Sequence, residues 1–406
     1  MAKFGLLGKT LKHSFSPQIH KLFCDYQYDL IELDECDLKS FVDSKEYAGY
    51  NITIPYKKEI MKYLDEIDKT AQKIGAVNTV VSENGKLKGY NTDCFGMEYA
   101  LKTAGIILKD KKVLILGSGG TSSTAKYVAK EGQAREVVVV SRNGQVNYQN
   151  CYLEEDAGVI INTTPVGMYP NNYESPIDLT RFKSLEGVFD AIYNPDLTAL
   201  TFSAKKMGIK YSNGFPMLVA QAKMASELFN KTQIKDGVLE QAIKTIRKEK
   251  ANIVLIGMAG VGKTTVAKRL SKALSKEFVD TDQLIEQREN KTIPQIFLEN
   301  GEEYFRNIES QVLREVGKQN GKIIATGGGI VEREENHFYL KQNGIIFNLI
   351  RDLEKLDRTN RPLSTDVDAV KKLFEKRKDK YIEFSDYNID NDGDIQTTVD
   401  KIMEKL

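Results

Sequence analysis

Hydrophobic positions along the chain fall into short continuous runs separated by longer amphipathic stretches. KFGLLG (3–8), YDLIELD (28–34) and GYNITI (49–54) read as strands near helical stretches. Residues 91–110, NTDCFGMEYALKTAGIILKD, read as a helix leading into a second region. There KKVLILG (111–117), EVVVVSR (136–142), GVIINTT (158–164) and GVFDAIY (187–193) are again short apolar runs. Runs that are apolar throughout, alternating with helices, predict parallel sheets covered on both faces. Residues 217–230, MLVAQAKMASELFN, predict a helix that returns to the first region. The stretch 230–250 is polar, basic at its end and partly helical in pattern, and NIVLIG (252–257) then restarts the series as the first strand of a new domain. The pattern therefore predicts an α/β chain with lobes over 1–95 and 96–235, a linker over 236–250 and a further domain over 251–406.

The 406 residues exceed what one domain usually holds, in keeping with that division. Charge changes the picture little: 58 Lys+Arg against 57 Asp+Glu give no whole-protein attraction to nucleic acid or membrane. The four cysteines, Cys24, Cys36, Cys94 and Cys151, are scattered without a C-x-x-C pair and suggest neither a disulfide framework nor a zinc site. No run approaches a membrane span, and MAKFGLLGKTLKHS lacks the apolar core of a signal peptide, so a soluble cytoplasmic protein is expected.

Candidate chemistry begins at VLILGSGGTSST (113–124), where Gly117, Ser118, Gly119, Gly120 and Thr121 follow a strand and open a helix. Such a turn lets backbone N–H groups approach a pyrophosphate, although Ser122 stands where a third glycine would complete the dinucleotide fingerprint. The next strand ends at Arg142, a cation suited to a ribose 2′-phosphate, which favours NADP; a solvated strand-end arginine would look the same. A second phosphate cradle, GMAGVGKT (257–264), fits G-x-x-x-x-G-K-[ST] without adjustment. Gly257, Ala259, Gly260, Val261, Gly262, Thr264 and Thr265 would wrap a nucleotide triphosphate, Lys263 would reach its outer phosphates, and Thr264 would hold Mg²⁺.

Six ordered motifs, GKTLKHSFSPQIH (8–20), GYNITIPYKKEI (49–60), GAVNTVV (75–81), GYNTDCFG (89–96), INTTPVGM (161–168) and NGFPMLVAQA (213–222), resemble the shikimate dehydrogenase family over about residues 3–240. Ser14 and Ser16 offer hydroxyls to a carboxylate, and Thr53, Asn78 and Gln221 offer groups that read ring hydroxyls in both directions. The resemblance implies that Lys57 and Asp93 form the catalytic pair, with Lys57 as acid/base, and that Tyr193 and Gly214 lie near substrate and nicotinamide. Met217 reads equally as core, and His13 as structural. The segment after Arg142 is short for the family, which leaves the ribose-phosphate clamp resting largely on Arg142.

FVDTDQLIE (278–286), GEEYFRNIE (301–309), ATGGGIV (325–331), NRPL (360–363) and EKRKDKY (375–381) resemble the shikimate kinase family over about residues 251–406. The resemblance implies that Asp282 takes or orients the hydroxyl proton. Asp280, on the same side of one extended segment, would support Mg²⁺ through water. Arg306 and Arg377 would hold the substrate carboxylate, beside the close backbone of Gly327, Gly328 and Gly329. Arg361 would reach the transferring phosphoryl group from a short lid, and Arg358 would lie against the base.

The combined expectation is a two-lobed dehydrogenase with a Rossmann-type NADP lobe, followed by a P-loop kinase domain with a parallel sheet. Its substrates would be 3-dehydroshikimate and shikimate, its cofactors NADP(H), ATP and Mg²⁺, with no nucleic-acid or membrane partner. Two other readings stay open: a quinate/shikimate dehydrogenase using NAD, and a non-catalytic shikimate-binding module on an active kinase.

Overall fold

A computed structural model describes residues 2–11, 14–356 and 367–406. It divides into one unit over Met1–Ile246 and a second over Arg247–Leu406. Among the described residues no helix is long and apolar enough to cross a membrane.

The first unit contains two sheets. Its first lobe runs β1 (Lys3–Gly8), α1 (Ser16–Lys21), β2 (Gln27–Glu32), α2 (Leu38–Ser44), β3 (Gly49–Ile52), β4 (Glu66–Ile67), α3 (Lys69–Ile74), β5 (Thr79–Glu83), β6 (Lys86–Tyr90) and α4 (Asp93–Thr103). The strand order is β2-β1-β3-β5-β6-β4. Apolar runs predicted parallel pairing, and β1 does pair parallel with β2 and β3, but β5 runs antiparallel to both β3 and β6. The cause is local. Asn84 and Gly85, both at positive φ (52° and 80°), make the two-residue turn that closes a β5–β6 hairpin.

The second lobe runs β7 (Lys112–Leu116), α5 (Gly120–Glu131), β8 (Glu136–Val140), β9 (Val159–Asn162), β10 (Gly187–Asp190), α6 (Ala199–Lys206), β11 (Lys210–Ser212) and α7 (Gly214–Asn230). Its five strands, ordered β11-β10-β9-β7-β8, are all parallel. The chain leaves β7 for β8 on one side and returns to β9 on the other, so the crevice of a doubly wound sheet opens at the carboxyl end of β7. Helix α7 packs back on the first lobe, where Phe229 joins Phe4 and Val81 in one buried cluster.

Residues 236–250, expected as a linker, are instead α8 (Asp236–Lys250). Leu239, Ala242, Ile243 and Ile246 recur at helical spacing and are buried with Ile19, Phe215 and Val219, so this helix belongs to the first unit's core up to Ile246. Its charged residues occupy the remaining faces, which is why the composition looks like a linker.

The second unit runs β12 (Asn252–Ile256), α9 (Lys263–Leu274), β13 (Glu277–Asp280), α10 (Thr281–Glu289), α11 (Ile293–Val316), β14 (Lys322–Ala325), α12 (Glu335–Lys341), β15 (Gly344–Ile350), α13 (Val367–Phe384), β16 (Tyr387–Asp390) and α14 (Ile395–Lys405). Helix α11 is interrupted at Gly301, where φ is 82°. The sheet is parallel throughout, in the order β13-β14-β12-β15-β16. Central β12 is buried along its whole length and delivers the glycine loop at its carboxyl end.

Candidate active sites

In the first unit, the carboxyl ends of β3, β6, β7, β8, β9 and β10 open on one cleft of 1370 Å³, with Asn78 at the amino end of antiparallel β5. It is lined by Ser14, Ser16, Thr53, Lys57, Asn78, Asp93, Tyr193, Gly214 and Gln221, together with Gly117, Ser118, Gly119, Gly120, Thr121 and Arg142. The sequence-predicted residues of this half thus meet in one place, apart from His13, which lies outside the described residues. Met217 lines the cleft as well and is packed into the core of the second lobe.

At the centre of the cleft, Lys57 Nζ lies 2.6 Å from Asp93 Oδ2. Asp93 opens α4, and its other oxygen accepts from Asn78 Nδ2 at 2.9 Å. The Asn78 side-chain oxygen Oδ1 in turn accepts the Thr92 N–H at 2.6 Å, and Gln221 Oε1 accepts from Thr92 Oγ1 at 3.4 Å. An ammonium clamped to a carboxylate, itself fixed by buried amides, is a positioned proton donor and acceptor. Ser14 Oγ donates to Ser16 Oγ at 3.2 Å beside this network.

Beneath this network lies a layer that the sequence motifs do not single out. Asn51, 4% exposed, donates to Thr79 Oγ1 at 2.9 Å and accepts from the Tyr28 hydroxyl at 2.7 Å. Thr79 joins Thr92 at 3.1 Å, so hydrogen bonds run unbroken from Tyr28 to Lys57. Asn51 lies inside a quoted motif, but nothing in its spacing marks it off from a strand residue.

Toward the cofactor end, α5 begins at the glycine turn, and a Cβ added at Gly119 or Gly120 would meet nothing within 4 Å. The turn therefore presents open backbone N–H groups, as a pyrophosphate requires. Behind the cleft wall sits Asp190, fully buried, accepting from Asn162 Nδ2 (2.9 Å), Ile192 N (3.1 Å) and Thr198 Oγ1 (2.7 Å). Burial raises its carboxyl to about 7 against the pull of these hydrogen bonds. Asn162 also accepts from Thr164 N at 3.0 Å, so one carboxyl ties together the two loops lining that side of the cleft.

In the second unit, Lys263 Nζ donates to the carbonyls of Gly257 (2.8 Å) and Met258 (3.0 Å). Ala259 and Gly260 are partly exposed, and Gly260 and Gly262 sit at positive φ (86° and 99°). The Val261 side chain is core, 1% exposed, and Thr265 faces solvent. Thr264 Oγ1 donates to Asp280 Oδ2 at 2.9 Å. Asp280 and Asp282 do not share an extended segment as expected. Asp280 ends β13 and caps α10, accepting from Asp282 N at 3.1 Å, while Asp282 already lies in the first helical turn. Among the described residues no group of three His, Cys, Asp or Glu could hold a metal. A hydroxyl beside a carboxylate suits Mg²⁺ that takes its remaining ligands from phosphate and water.

The glycine triplet is explained by close approach. A Cβ at Gly327 would stand 2.7 Å from Asp282 Oδ1 and 2.8 Å from Glu309 Oε1; one at Gly328, 2.8 Å from Ala259 N; one at Gly329, 2.1 Å from Arg306 Nη1. Only glycine lets the loop at 327–329 sit this near to P-loop, carboxylate and guanidinium at once. Arg306 is 5% exposed and pairs with Glu309 at 2.7 Å and Glu302 at 3.1 Å. Arg377, 4% exposed, donates to Glu332 at 2.7 Å and to the Gly328 carbonyl at 3.3 Å, and the buried Tyr381 hydroxyl donates to that carbonyl too. Burial favours a neutral Glu332, but hydrogen bonds from Arg377 and Lys376 prevail and lower it to about 2. Glu309 follows Arg306 by three residues and was legible as a helical neighbour. Glu332 and Tyr381 meet the site only through the fold. Arg358 and Arg361 lie outside the described residues.

Fold and sites together define a two-lobed, dinucleotide-dependent oxidoreductase followed in the same chain by a P-loop phosphotransferase. Residues 6–80 match the family model "Shikimate dehydrogenase substrate binding domain", and residues 259–406 match "Shikimate kinase". The chain is 40% identical over 251 residues to shikimate dehydrogenase (NADP(+)) of Caldicellulosiruptor bescii, covering 55% of this chain and 87% of that protein. It is 41% identical over 254 residues to the Methanococcus maripaludis enzyme of the same name, covering 55% and 90%. Similar solved structures include shikimate dehydrogenase 1 of Peptoclostridium difficile (TM-score 0.57, 35% identity, 61% and 99% covered). Another is shikimate 5-dehydrogenase of Thermus thermophilus in complex with NADP(H) and shikimate (TM-score 0.55, 29% identity, 60% and 99% covered). The chain belongs to the shikimate dehydrogenase family and carries a shikimate kinase domain behind it, which places two shikimate-pathway enzyme domains on one polypeptide.

Proposed function

We propose that the first unit reduces 3-dehydroshikimate to shikimate with NADPH, and that the second transfers a phosphoryl group from ATP to the shikimate 3-hydroxyl. The observation that supports this above all is the Lys57–Asp93 contact of 2.6 Å in the cleft that also contains the glycine turn. When bound, NADPH supplies the hydride. Lys57 delivers a proton to the ketone oxygen as negative charge develops there, and Asp93 keeps the ammonium aimed. Ser14 and Ser16 hold the carboxylate, Thr53, Asn78 and Gln221 hold the ring hydroxyls, and Tyr193 and Gly214 border substrate and nicotinamide. The N–H groups of Gly117–Thr121 take the pyrophosphate, and Arg142 takes the 2′-phosphate.

In the kinase, Asp282 accepts the proton of the attacking hydroxyl, and Arg306 and Arg377 hold the shikimate carboxylate against Gly328 and Gly329. Residues 257–265 enclose the phosphates, with Lys263 exchanging its carbonyl partners for phosphate oxygens. Thr264 is the direct Mg²⁺ ligand in this reading, Asp280 acts through water, and the ion when bound offsets phosphate charge. Arg361 on the phosphoryl group and Arg358 on the base complete it.

A coupled assay with 3-dehydroshikimate, NADPH and ATP, following both products, tests the proposal. Lys57→Ala should lower reduction by about 10²-fold or more and leave phosphorylation intact, as expected for loss of a proton-transfer group. Lys263→Ala should do the reverse. A folded variant that lost both activities would refute two independent sites.

A further inference from the structure

Among the described residues three cations line the cleft of the first unit: Lys57, Lys58 and Arg142. The first two belong to the substrate end, and Arg142 follows β8 at the ribose end. Among the described residues no carboxylate pairs with Arg142, so its charge is available. One cation is a thin clamp for a phosphomonoester that carries nearly two negative charges.

The short segment after Arg142 is folded so as to bring one further donor there. Gly144 N donates to Ser141 O at 3.2 Å, which reverses the chain. Val146 then bridges alongside Val140, with Ser141 N donating to Val146 O at 3.1 Å. Asn147 fixes the next turn, its side chain accepting from Gln149 N at 2.9 Å while its own N–H donates to Asn150 Oδ1 at 2.7 Å. Within this second turn the chain presents Tyr148 to the cleft, which Ser141 and Arg142 line as well. The Tyr148 side chain packs on the second lobe's core, and the hydroxyl makes no hydrogen bond among the described residues. Burial raises the phenol despite the opposing charge of Arg142, so the group stays a donor at neutral pH.

Resting on the NADP reading above, we infer that Tyr148 is a specificity-determining residue: its hydroxyl donates to the ribose 2′-phosphate and stands in for a second cation. A neutral donor adds a directed, charge-assisted hydrogen bond without adding charge. Discrimination between NADPH and NADH is then shared by Arg142 and one removable oxygen.

The test is calorimetric titration of the full chain with 2′,5′-ADP and, separately, 5′-ADP, alongside kcat/KM for NADPH and NADH. Tyr148→Phe should weaken 2′,5′-ADP roughly tenfold, the size expected for a hydrogen bond to a charged group. It should leave 5′-ADP unchanged and lower the NADPH:NADH preference by the same factor. Arg142→Ala should remove most of the remaining preference. If the wild type favours 2′,5′-ADP and Tyr148→Phe binds both ligands as the wild type does, the role of Tyr148 is refuted and the NADP reading stands. If the wild type binds both ligands alike, both fall.

Discussion

Replacing Gly327 by alanine tests the kinase site with the reductase as an internal control. The φ of Gly327 lies outside the left-handed region, so the backbone accepts alanine without strain. What the new methyl meets is chemistry: Asp282 Oδ1 at 2.7 Å and Glu309 Oε1 at 2.8 Å, where ordinary contact begins at 3.4 Å. Glu309 is held by Arg306 at 2.7 Å inside a buried pair and resists movement. Asp282, partly exposed in the first turn of α10, is the group that yields, by about 0.7 Å (from 2.7 to 3.4 Å). Misplacing a reacting group by about 1 Å costs on the order of 10²-fold. We therefore expect kcat for shikimate phosphorylation to fall by about 10- to 100-fold. The NADPH-dependent activity of the same preparation should be unchanged. Steady-state rates for both reactions are the assay. A Gly327→Ala protein whose kinase kcat stays within about twofold of wild type would show that Asp282 does not act from its observed position.

Three further perturbations follow from the geometry. Among the described residues no ionisable group pairs with Asp190, which sits at about 7, above its ordinary 3.8, so the native state binds the extra proton between these values. Stability from this group is full below pH 3.8 and is lost as pH rises toward 7, by on the order of 4 kcal/mol. In Asp190→Asn the amide oxygen keeps the two donors on Oδ1, and urea unfolding of the reductase unit should lose this slope between pH 4.5 and 7; an unchanged slope would contradict the burial argument. Glu332→Gln removes the carboxylate that fixes Arg377 Nε, and should raise the KM for shikimate roughly fivefold with kcat unchanged; an unaltered KM would show that Arg377 needs no such anchor. At Gly214 a Cβ would stand 2.0 Å from the Ala191 carbonyl, itself held by the bond from Ala191 N to Asn162 O. Gly214→Ala should cost about 1–3 kcal/mol in urea unfolding of the first unit, and a variant as stable as wild type would show that the backbone there gives way freely.

What could be read from the chain was whatever rests on local spacing. The apolar runs ending at Leu116 and Ile256 specify buried strands, and the glycines after each specify phosphate turns, because both properties are set within a few residues. The helical pattern of α8 is legible, but its place in the first unit's core is not, because its four buried residues are diluted by eleven others and composition averages away a stripe. Asn84-Gly85 announces the β5–β6 hairpin, whereas the apolar content of the neighbouring runs carries no mark of strand direction. Lys57 and Asp93 were recognisable from motifs, but their contact spans 36 residues and is made by the fold. Asp190 and Glu332 carry no such signal, and Tyr381, though it ends the motif EKRKDKY, carries none for its contact with the Gly328 carbonyl, since each takes its place by what lies opposite in space.

The two glycine turns differ in a way that matches the two reactions. The turn at Gly117–Thr121 contains no cation, and its N–H groups suit a pyrophosphate that is held and never reacts. The loop at Gly257–Thr264 contains Lys263, 8% exposed and parked on two loop carbonyls, a charge ready to follow a phosphoryl group as it leaves. Under the proposed reactions both sites act on one oxygen atom. The ketone oxygen protonated beside Lys57 becomes the 3-hydroxyl, and that hydroxyl loses its proton beside Asp282 when the phosphoryl group arrives. Ketone reduction by a nicotinamide is reversible, and the reverse step needs a free hydroxyl whose proton Lys57 can take. A phosphorylated oxygen has no such proton. The second site therefore consumes the one group through which the first could run backward, and mass action draws the reduction forward wherever ATP is present, whatever path shikimate takes between the sites.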